Sequence, residues 1–339
     1  MKPWQSFWNR NRRAAVLYGA GSLFFLLSAL FACCAGAAGL SLAELMQGLT
    51  EGTESVFGKI VYLVRLPRLF ATVICGAALA VSGCVIQSAL ANPLASPSTV
   101  GVGSGAALAV TVCSAFGVMG GFAVSLSAFF GAFAAVFAVS VISEKLPNTK
   151  GTVILVGVAM SAFFGAISDA IVQLSPEIAI YRNDFKIGDF SYLSAARILP
   201  AAIMIALALI SLLFLSVPMD VLSLGDENAK GLGLNTKALR ATLLLLSAVL
   251  AGCAVSLCGL LSFVGLMVPH TIKRIWSGIN ALHLMLLSAL YGAGFVTLCD
   301  TLSRTVFSPH EVPVGIFMAF LGAPFFLYLI LSRRGDKRA

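Results

Sequence analysis

Histidines and cysteines are the first residues to consider for acid–base or metal chemistry. The three histidines, His270, His283 and His310, lie in different segments, so no Ser-His-Asp set or cluster of metal ligands can be assembled from them. The eight cysteines all fall inside apolar segments and form no C-x-x-C pair, which is typical of small buried hydrophobic residues. These residues indicate neither an enzyme nor a metal site.

Gly101, Gly103 and Gly105 have the spacing of a phosphate-binding loop. No strand precedes them, however, and they open an apolar helix, so the spacing favours close helix packing. The sequence contains no G-x-x-x-x-G-K-[ST] motif. We therefore predict that the chain has no nucleotide site of its own.

Three acids, Asp169, Asp300 and Glu311, lie in or beside apolar segments, where carboxylates can relay protons or cations. Asp300 and Arg304 are four residues apart on one predicted helix, so a local ion pair explains Asp300 about as well. Asp169 stands among small and apolar residues without an evident partner. Three acids make a weak relay, and proton-driven transport is the less favoured alternative.

Arg65 and Arg68 flank Leu66-Pro67 at the start of an apolar segment. Proline suits the first turn of a helix, and two arginines three positions apart share one helix face. One interpretation is anchoring to lipid phosphates with snorkelling side chains. The other is a docking site for an acidic partner outside the cell.

The composition determines the class of protein that must position these residues. The chain is 59% hydrophobic and 11% charged, with a mean hydropathy of +0.98. A helix needs about 20 mostly apolar residues to cross a bilayer, and the sequence therefore predicts an all-α polytopic membrane protein. The predicted spans are 14–38, 66–88, 100–117, 120–142, 152–174, 196–216, 239–259, 262–277, 281–303 and 312–331.

The boundary between the spans 239–259 and 262–277 is the least distinct, because Gly259 and its neighbours alone interrupt it. Two short crossings or one long bent helix would both fit. With ten spans and a cytoplasmic N-terminus, 15 of the 22 Lys and Arg residues fall on the cytoplasmic side, as the positive-inside rule requires. The ten-span topology is therefore favoured, with both termini in the cytoplasm.

The net charge of +8 fits basic cytoplasmic loops better than a nucleic-acid partner, because no segment offers a continuous polar face with interleaved aromatics. The first span is longer than the apolar part of a signal peptide, so we predict that it is retained. No polar stretch is long enough to fold alone. We expect residues 1–339 to form a single transmembrane domain.

Two polar interruptions divide the apolar segments. Residues 92–99 carry two prolines and cannot continue a helix. Residues 219–236 form the longest mixed polar stretch on the predicted cytoplasmic side. There we predict one or two short helices, with Asp226 capping a turn and Gly231 and Gly233 ending it.

Read in order, these segments resemble the FecCD-type permeases, the membrane subunits of ABC importers for iron–siderophore complexes, haem and vitamin B12. The resemblance covers residues 60–332, and nine motifs in the same order make it specific. They are Arg65-Leu-Pro-Arg68, Gly76-Ala-Ala-Leu-Ala with Ser82-Gly83 and Gln87, Asn92-Pro-Leu-Ala, Gly101-Val-Gly-Ser-Gly105-Ala, Leu222-Ser-Leu-Gly225-Asp-Glu-Asn-Ala229 with Leu232-Gly233, Phe263-Val-Gly-Leu-Met-Val-Pro-His270, Asp300 with Arg304, Glu311-Val-Pro-Val-Gly315 and Gly322-Ala-Pro-Phe-Phe326.

The resemblance implies ten spans, a second identical or related permease subunit, two cytoplasmic ATPase subunits and an extracytoplasmic substrate-binding protein. It implies that Arg65, Arg68 and Arg304 meet glutamates of the binding protein, where opposite charges would fix orientation more than add affinity. It also implies that the permease is no enzyme and holds no cofactor, because the ATPase subunits use the ATP.

The resemblance assigns two further sets of residues. The ATPase-coupling helices correspond to Leu222, Leu224, Gly225, Asp226, Glu227, Ala229, Leu232 and Gly233. The cytoplasmic gate corresponds to Asn92, Pro93 and Leu94, with Asn148 and Thr149 as a second element.

One segment departs from the family pattern. Where the family usually has a Trp-x-x-Gly-Ser-like sequence after the fifth span, this chain has Phe185-Lys-Ile-Gly188-Asp189. Because Gly188 is retained, we expect the short helix there to survive.

Ferric siderophores are the expected substrates, with haem and cobalamin as alternatives, and the expected location is the bacterial cytoplasmic membrane.

Overall fold

The computed structural model describes residues 3–36, 39–146, 151–191, 193, 195–308 and 310–335. Within these ranges the chain is helical and has no strand. The helices are α1 (Pro3–Cys34), α2 (Leu42–Glu51), α3 (Val56–Lys59), α4 (Leu66–Ala89), α5 (Val102–Ala115), α6 (Gly121–Glu144), α7 (Thr152–Leu174), α8 (Ala179–Ile187), α9 (Ala195–Phe214), α10 (Ser216–Ser223), α11 (Asp226–Gly231), α12 (Thr236–Cys258), α13 (Val264–Ile275), α14 (Ala281–Thr305) and α15 (Val314–Gly335).

Each predicted span overlaps one of these helices, and α7 has the predicted limits of 152–174. Seven helices in the described residues are long and apolar enough to cross a membrane. Of the others, α5 and α13 have 14 and 12 residues, which correspond to about 21 and 18 Å. The all-helical class is confirmed, while the count of ten crossings and the cytoplasmic termini stay predictions.

The core lies around α4 and α12. In the most apolar stretch of α12, 72% of the residues are buried, against 17% in α7. Large apolar side chains such as Leu155 and Phe163 on α7 are exposed. Alanine, glycine and serine are frequent among the buried residues of α4 and α12, and many large apolar side chains lie on the periphery, as expected for a bundle surrounded by lipid.

Glycines bring the central helices together. A Cβ atom at Gly76 of α4 would overlap the backbone carbonyl of Gly292 on α14, and one at Gly83 would overlap the backbone of Gly265 on α13. Only glycine allows backbones to approach this closely. Of the glycines predicted to open α5, Gly105 acts in the same way, because it packs against Gly131 of α6. Gly101 instead precedes the helix with φ +89°.

The second predicted span starts earlier than expected. Pro67 lies in the first turn of α4 as predicted, but α3 and a π-helical turn at Ile60–Arg65 precede it. Together they form an apolar helix over Val56–Ala89. The π turn fits the position, because Pro67 lacks an N–H and a wider turn can accommodate the interrupted hydrogen bonds.

α12 and α13 are separate helices, which answers the question that the sequence left open. Gly259 has φ +70°, and Phe263, a non-glycine residue, has φ +68°. The backbone between them is satisfied from outside: the Leu260 N–H donates to the Phe185 carbonyl at 3.0 Å, and the Asp189 N–H donates to the Cys258 carbonyl at 2.9 Å. Backbone groups that are buried outside a regular helix require such partners.

Candidate functional sites at the two ends of the bundle

The bundle has two functional candidates at opposite ends. We call the end where α4 begins and α14 finishes the arginine end, because it carries Arg65, Arg68 and Arg304. We call the opposite end, which carries α10 and α11, the loop end. The 24 residues of α4 separate the two by about 36 Å.

Arg68 is the centre of a charge cluster at the arginine end. Its Nη2 lies 2.9 Å from Asp300 Oδ1 and its Nε lies 3.1 Å from Oδ2. Its Nη1 contacts Glu311 at 3.3 Å, and Asp189 lies 3.7 Å away. The Arg68 side chain is 12% exposed and that of Asp300 is 2% exposed. Arg68 is therefore held by three acids of its own chain.

Arg304 shares the carboxylate of Asp300. Its Nε lies 3.2 Å from Asp300 Oδ2 and donates to the Asp300 carbonyl at 3.3 Å. The predicted local ion pair between these two α14 residues is therefore present. Because Arg68 binds the same carboxylate, Asp300 compensates two arginines rather than one.

Arg65 occupies the neighbouring position against α1. Its Nη1 donates to the Ala32 carbonyl at 3.3 Å, and its side chain is buried. Gly36, with φ +151°, lies directly against the guanidinium, where a Cβ atom would collide with it. The structure thus brings the three predicted docking arginines to one end, but Arg65 and Arg304 are buried between helices and Arg68 is largely buried. Their docking role stays a prediction.

The connection after α7 contains the predicted short helix, α8. It ends at Ile187, and Gly188 follows as its C-cap with a φ of +75°, which suits glycine. Arg182 of α8 forms an ion pair with Asp169 of α7, so Asp169, for which the sequence suggested no partner, has one. Burial and the neighbouring Arg182 lower the pKa of Lys186, while Asp169 opposes that shift.

At the loop end, residues 216–231 form the two short helices α10 and α11, in line with the prediction. Leu222 and Ala229 are buried, whereas Leu224 and Leu232 are 60% and 67% exposed. Glu227 is also exposed. The predicted coupling residues thus divide into an inward set that packs on the bundle and an outward set with two apolar side chains, Leu224 and Leu232, and the charged Glu227.

The predicted cap at Asp226 was wrong in detail. Gly225, with φ +104°, precedes α11, and Asp226 is the first residue of the helix, with Gly231 as its last. The Asp226 carboxylate instead binds Arg240 of α12, with Nη2 2.9 Å from Oδ1. A long-range charged partner outweighs a local cap, because bonds between two ionised groups are stronger. Gly233, at φ +84°, lies just beyond α11.

The predicted gate segment follows the end of α4. Asn92 forms an Asx turn, in which its Oδ1 accepts from the Leu94 N–H at 2.9 Å. Asn92 and Pro93 are half-buried, and Leu94 is 42% exposed. The second gate element, Asn148 and Thr149, lies outside the described residues.

Comparison with known proteins gives the family. Residues 23–332 match the FecCD transport family. The chain belongs to this family of transporter membrane subunits. This match rests on the sequence as a whole, whereas the membrane topology was predicted from the positions of Lys and Arg residues.

Named relatives agree with this assignment over most of the FecCD chain. The hemin transport system permease protein HmuU of Yersinia pestis is 35% identical over 81% of this chain and 84% of its own. The Fe(3+)-citrate import system permease protein YfmD of Bacillus subtilis is 35% identical over 89% of this chain and 90% of its own. A solved metal-chelate type ABC transporter, in an inward-facing conformation, has a TM-score of 0.83 at 29% identity, covering 94% of this chain and 99% of that chain.

Several contacts of this FecCD protein were not predicted from its sequence. Arg240 had no predicted role, yet it joins α12 to Asp226 and to the end of α4. The Asp220 carboxylate accepts from the Ala281 N–H at 2.7 Å and ties α10 to the start of α14. A signal existed for Asp226 and Arg240, which are opposite charges on either side of a short polar loop.

Proposed function

We propose that this FecCD protein is the permease subunit of an ATP-driven ABC importer that moves a ferric chelate across the bacterial cytoplasmic membrane. The observation that carries the proposal is the likeness to the metal-chelate type ABC transporter, which extends over 94% of this chain and 99% of that one. The names of the Fe(3+)-citrate and hemin permeases support the same class of cargo.

Transport begins, in this proposal, at the arginine end. A loaded binding protein docks there through carboxylates that meet Arg65, Arg68 and Arg304. The cargo enters a path between this permease and a second permease subunit. The permease carries out no covalent step, needs no resident metal or cofactor and binds no nucleic acid.

The energy enters at the loop end. Two ATPase subunits bind α10 and α11, where Leu224 and Leu232 offer exposed apolar side chains. ATP binding and hydrolysis move these helices, and the movement opens the path beside Asn92 and Leu94. The path binds cargo weakly, because a large chelate must also leave it.

Haem is the second candidate cargo, favoured by 35% identity to a hemin permease. Cobalamin is a third. Uptake into proteoliposomes that contain the permease, its ATPase and a loaded binding protein distinguishes them, with labelled ferric chelate, haem and cobalamin tested separately. We expect ferric chelate to accumulate fastest. Accumulation of haem or cobalamin alone would reassign the cargo, and accumulation of none would reject this class of importer.

A further inference from the structure

The Arg240 side chain connects three helices at the loop end. Its Nη2 lies 2.9 Å from Asp226 Oδ1 and 3.1 Å from Oδ2, at the start of α11. Its Nε donates to the carbonyl of Ala89, the last residue of α4, at 2.9 Å. The side chain is 14% exposed. One planar group of α12 therefore holds α11 and α4 together.

The Ala89 carbonyl is one of the acceptors that the end of a helix leaves without a partner, and a cation is favoured there. Two residues later, Ala91 adopts φ +44°, which is uncommon for a residue other than glycine. The Asn92 N–H then donates back to the Gln87 carbonyl at 3.1 Å. The position of Asn92 is thus fixed by the last turn of α4, which Arg240 contacts.

Asp226 moves with α11 because it is the first residue of that six-residue helix. α11 packs on the bundle through Ala229, which is fully buried, while Leu232 beyond its end is exposed. α10 packs against both α4 and α14, and its Asp220 carboxylate accepts from the Ala281 N–H at the start of α14. Asp226 and Arg240 therefore form a side-chain connection from α11 through α12 to α4, the helix that precedes residues 92–94.

We propose that Arg240 is a positioning residue that transmits displacement of α11 to the segment 90–94. This inference rests on the proposed function, in which α11 is moved by an ATPase and residues 92–94 gate the path. The guanidinium is suited to the task because it is planar and donates in two directions from a fixed geometry. A lysine at this position would keep the charge but could not hold both partners in the same geometry.

The test is the number of chelate molecules taken up per ATP hydrolysed, measured in proteoliposomes with the complete transporter. Asp226→Asn keeps the side-chain volume and the Arg240 bond to Ala89 but removes the charged connection to α11. Arg240→Lys keeps the charge and removes the two-way bridge. Lys237→Gln is the matched control, since Lys237 lies one turn earlier on α12, is exposed and makes no hydrogen bond or ion pair within the residues that the structure describes.

We expect the uptake-to-hydrolysis ratio to fall at least about fivefold in Asp226→Asn and in Arg240→Lys, which is the low end of typical coupling between sites. Lys237→Gln should keep the wild-type ratio. A merely structural role would lower uptake and hydrolysis together and leave the ratio unchanged, and that result in Asp226→Asn would overturn the inference. If the wild-type transporter showed no ATP-driven uptake, the proposed function would fail first, and the inference with it.

Discussion

Arg68 and Asp300 are 232 positions apart in the sequence, yet the arginine donates to both oxygens of the carboxylate, at 2.9 Å from Nη2 and 3.1 Å from Nε. The pair joins the first turn of α4 to the end of α14. Because Asp300 also faces Arg304, one buried carboxylate compensates two arginines. The stability of the arginine end should therefore depend on Asp300 more than on any exposed acid.

We expect Asp300→Ala to lower the free energy of unfolding by about 3–5 kcal/mol, because removing one member of a buried ion pair leaves the other charges uncompensated. Glu311→Ala is the control. Glu311 contacts the same Arg68 but is 40% exposed, and such pairs contribute about 0–1 kcal/mol. Denaturant unfolding of the purified permease in detergent measures both. Equal losses in the two variants would contradict this account of the cluster.

The proposed docking role makes Glu311 a competitor for the binding protein. Glu311→Gln should raise the association rate with the binding protein roughly twofold to fivefold at low salt, because a rim charge acts mainly on the rate of encounter. High salt should remove the difference. Glu54→Gln, which changes the net charge by the same amount at another exposed acid, should have a smaller effect. Identical rates for the two variants would argue against competition at Arg68.

Charge reversal tests the arginines themselves. Arg65→Glu with Arg68→Glu should weaken docking of the binding protein and leave ATPase association intact, since about 36 Å of helix separates the two ends. Retained ATPase binding also controls for folding. Docking that is unchanged in the double variant would reject these residues as the contact site.

The contact between Gly83 and Gly265 predicts a packing defect. Gly83→Ala should lower the free energy of unfolding by about 1–3 kcal/mol, because the added methyl group forces α4 and α13 apart. Gly19→Ala on α1 is a matched change with no atom within 4 Å of the new Cβ. It should be neutral or slightly stabilising, because alanine favours helix. Detergent unfolding curves that shift equally for the two variants would be inconsistent with the close approach.

Leu232 tests the proposed ATPase interface. Leu232→Ser should weaken ATPase binding by about 1–3 kcal/mol. The Leu232 side chain is 67% exposed in the permease and would become buried in the complex, and serine would not gain that free energy of burial. Lys237→Ser, also at the loop end, should change binding much less. Co-purification at graded ATPase concentrations measures the difference. Wild-type affinity in Leu232→Ser would place the interface elsewhere.

Much of this architecture follows from apolar segment lengths and charge. The limits of α7 and the separate helices α12 and α13 are consistent with hydropathy and a single break at Gly259. The local pair of Asp300 with Arg304 follows from helix periodicity, because four residues correspond to about one turn. The short helices α10 and α11 follow from a polar segment with glycines at its boundaries.

The remaining contacts depend on which helices are neighbours, and a single sequence does not specify that. Arg68 meets Asp300 because α4 lies against α14. The sequence suggested no partner for Asp169. Its partner, Arg182, is thirteen positions later and belongs to a separate short helix, so helix periodicity does not predict the pair. From the sequence, Asp226 could have capped the helix that follows it. Only the fold shows that Arg240 lies close enough to bind the Asp226 carboxylate instead.

The central claim is that this membrane protein depends on separate ATPase chains to move its cargo. Uptake of a labelled ferric chelate into proteoliposomes tests it most directly, with the permease reconstituted with or without its ATPase and binding protein. We predict uptake only when all components and hydrolysable ATP are present, and none from a proton or sodium gradient. Uptake driven by an ion gradient through the permease alone would contradict the account.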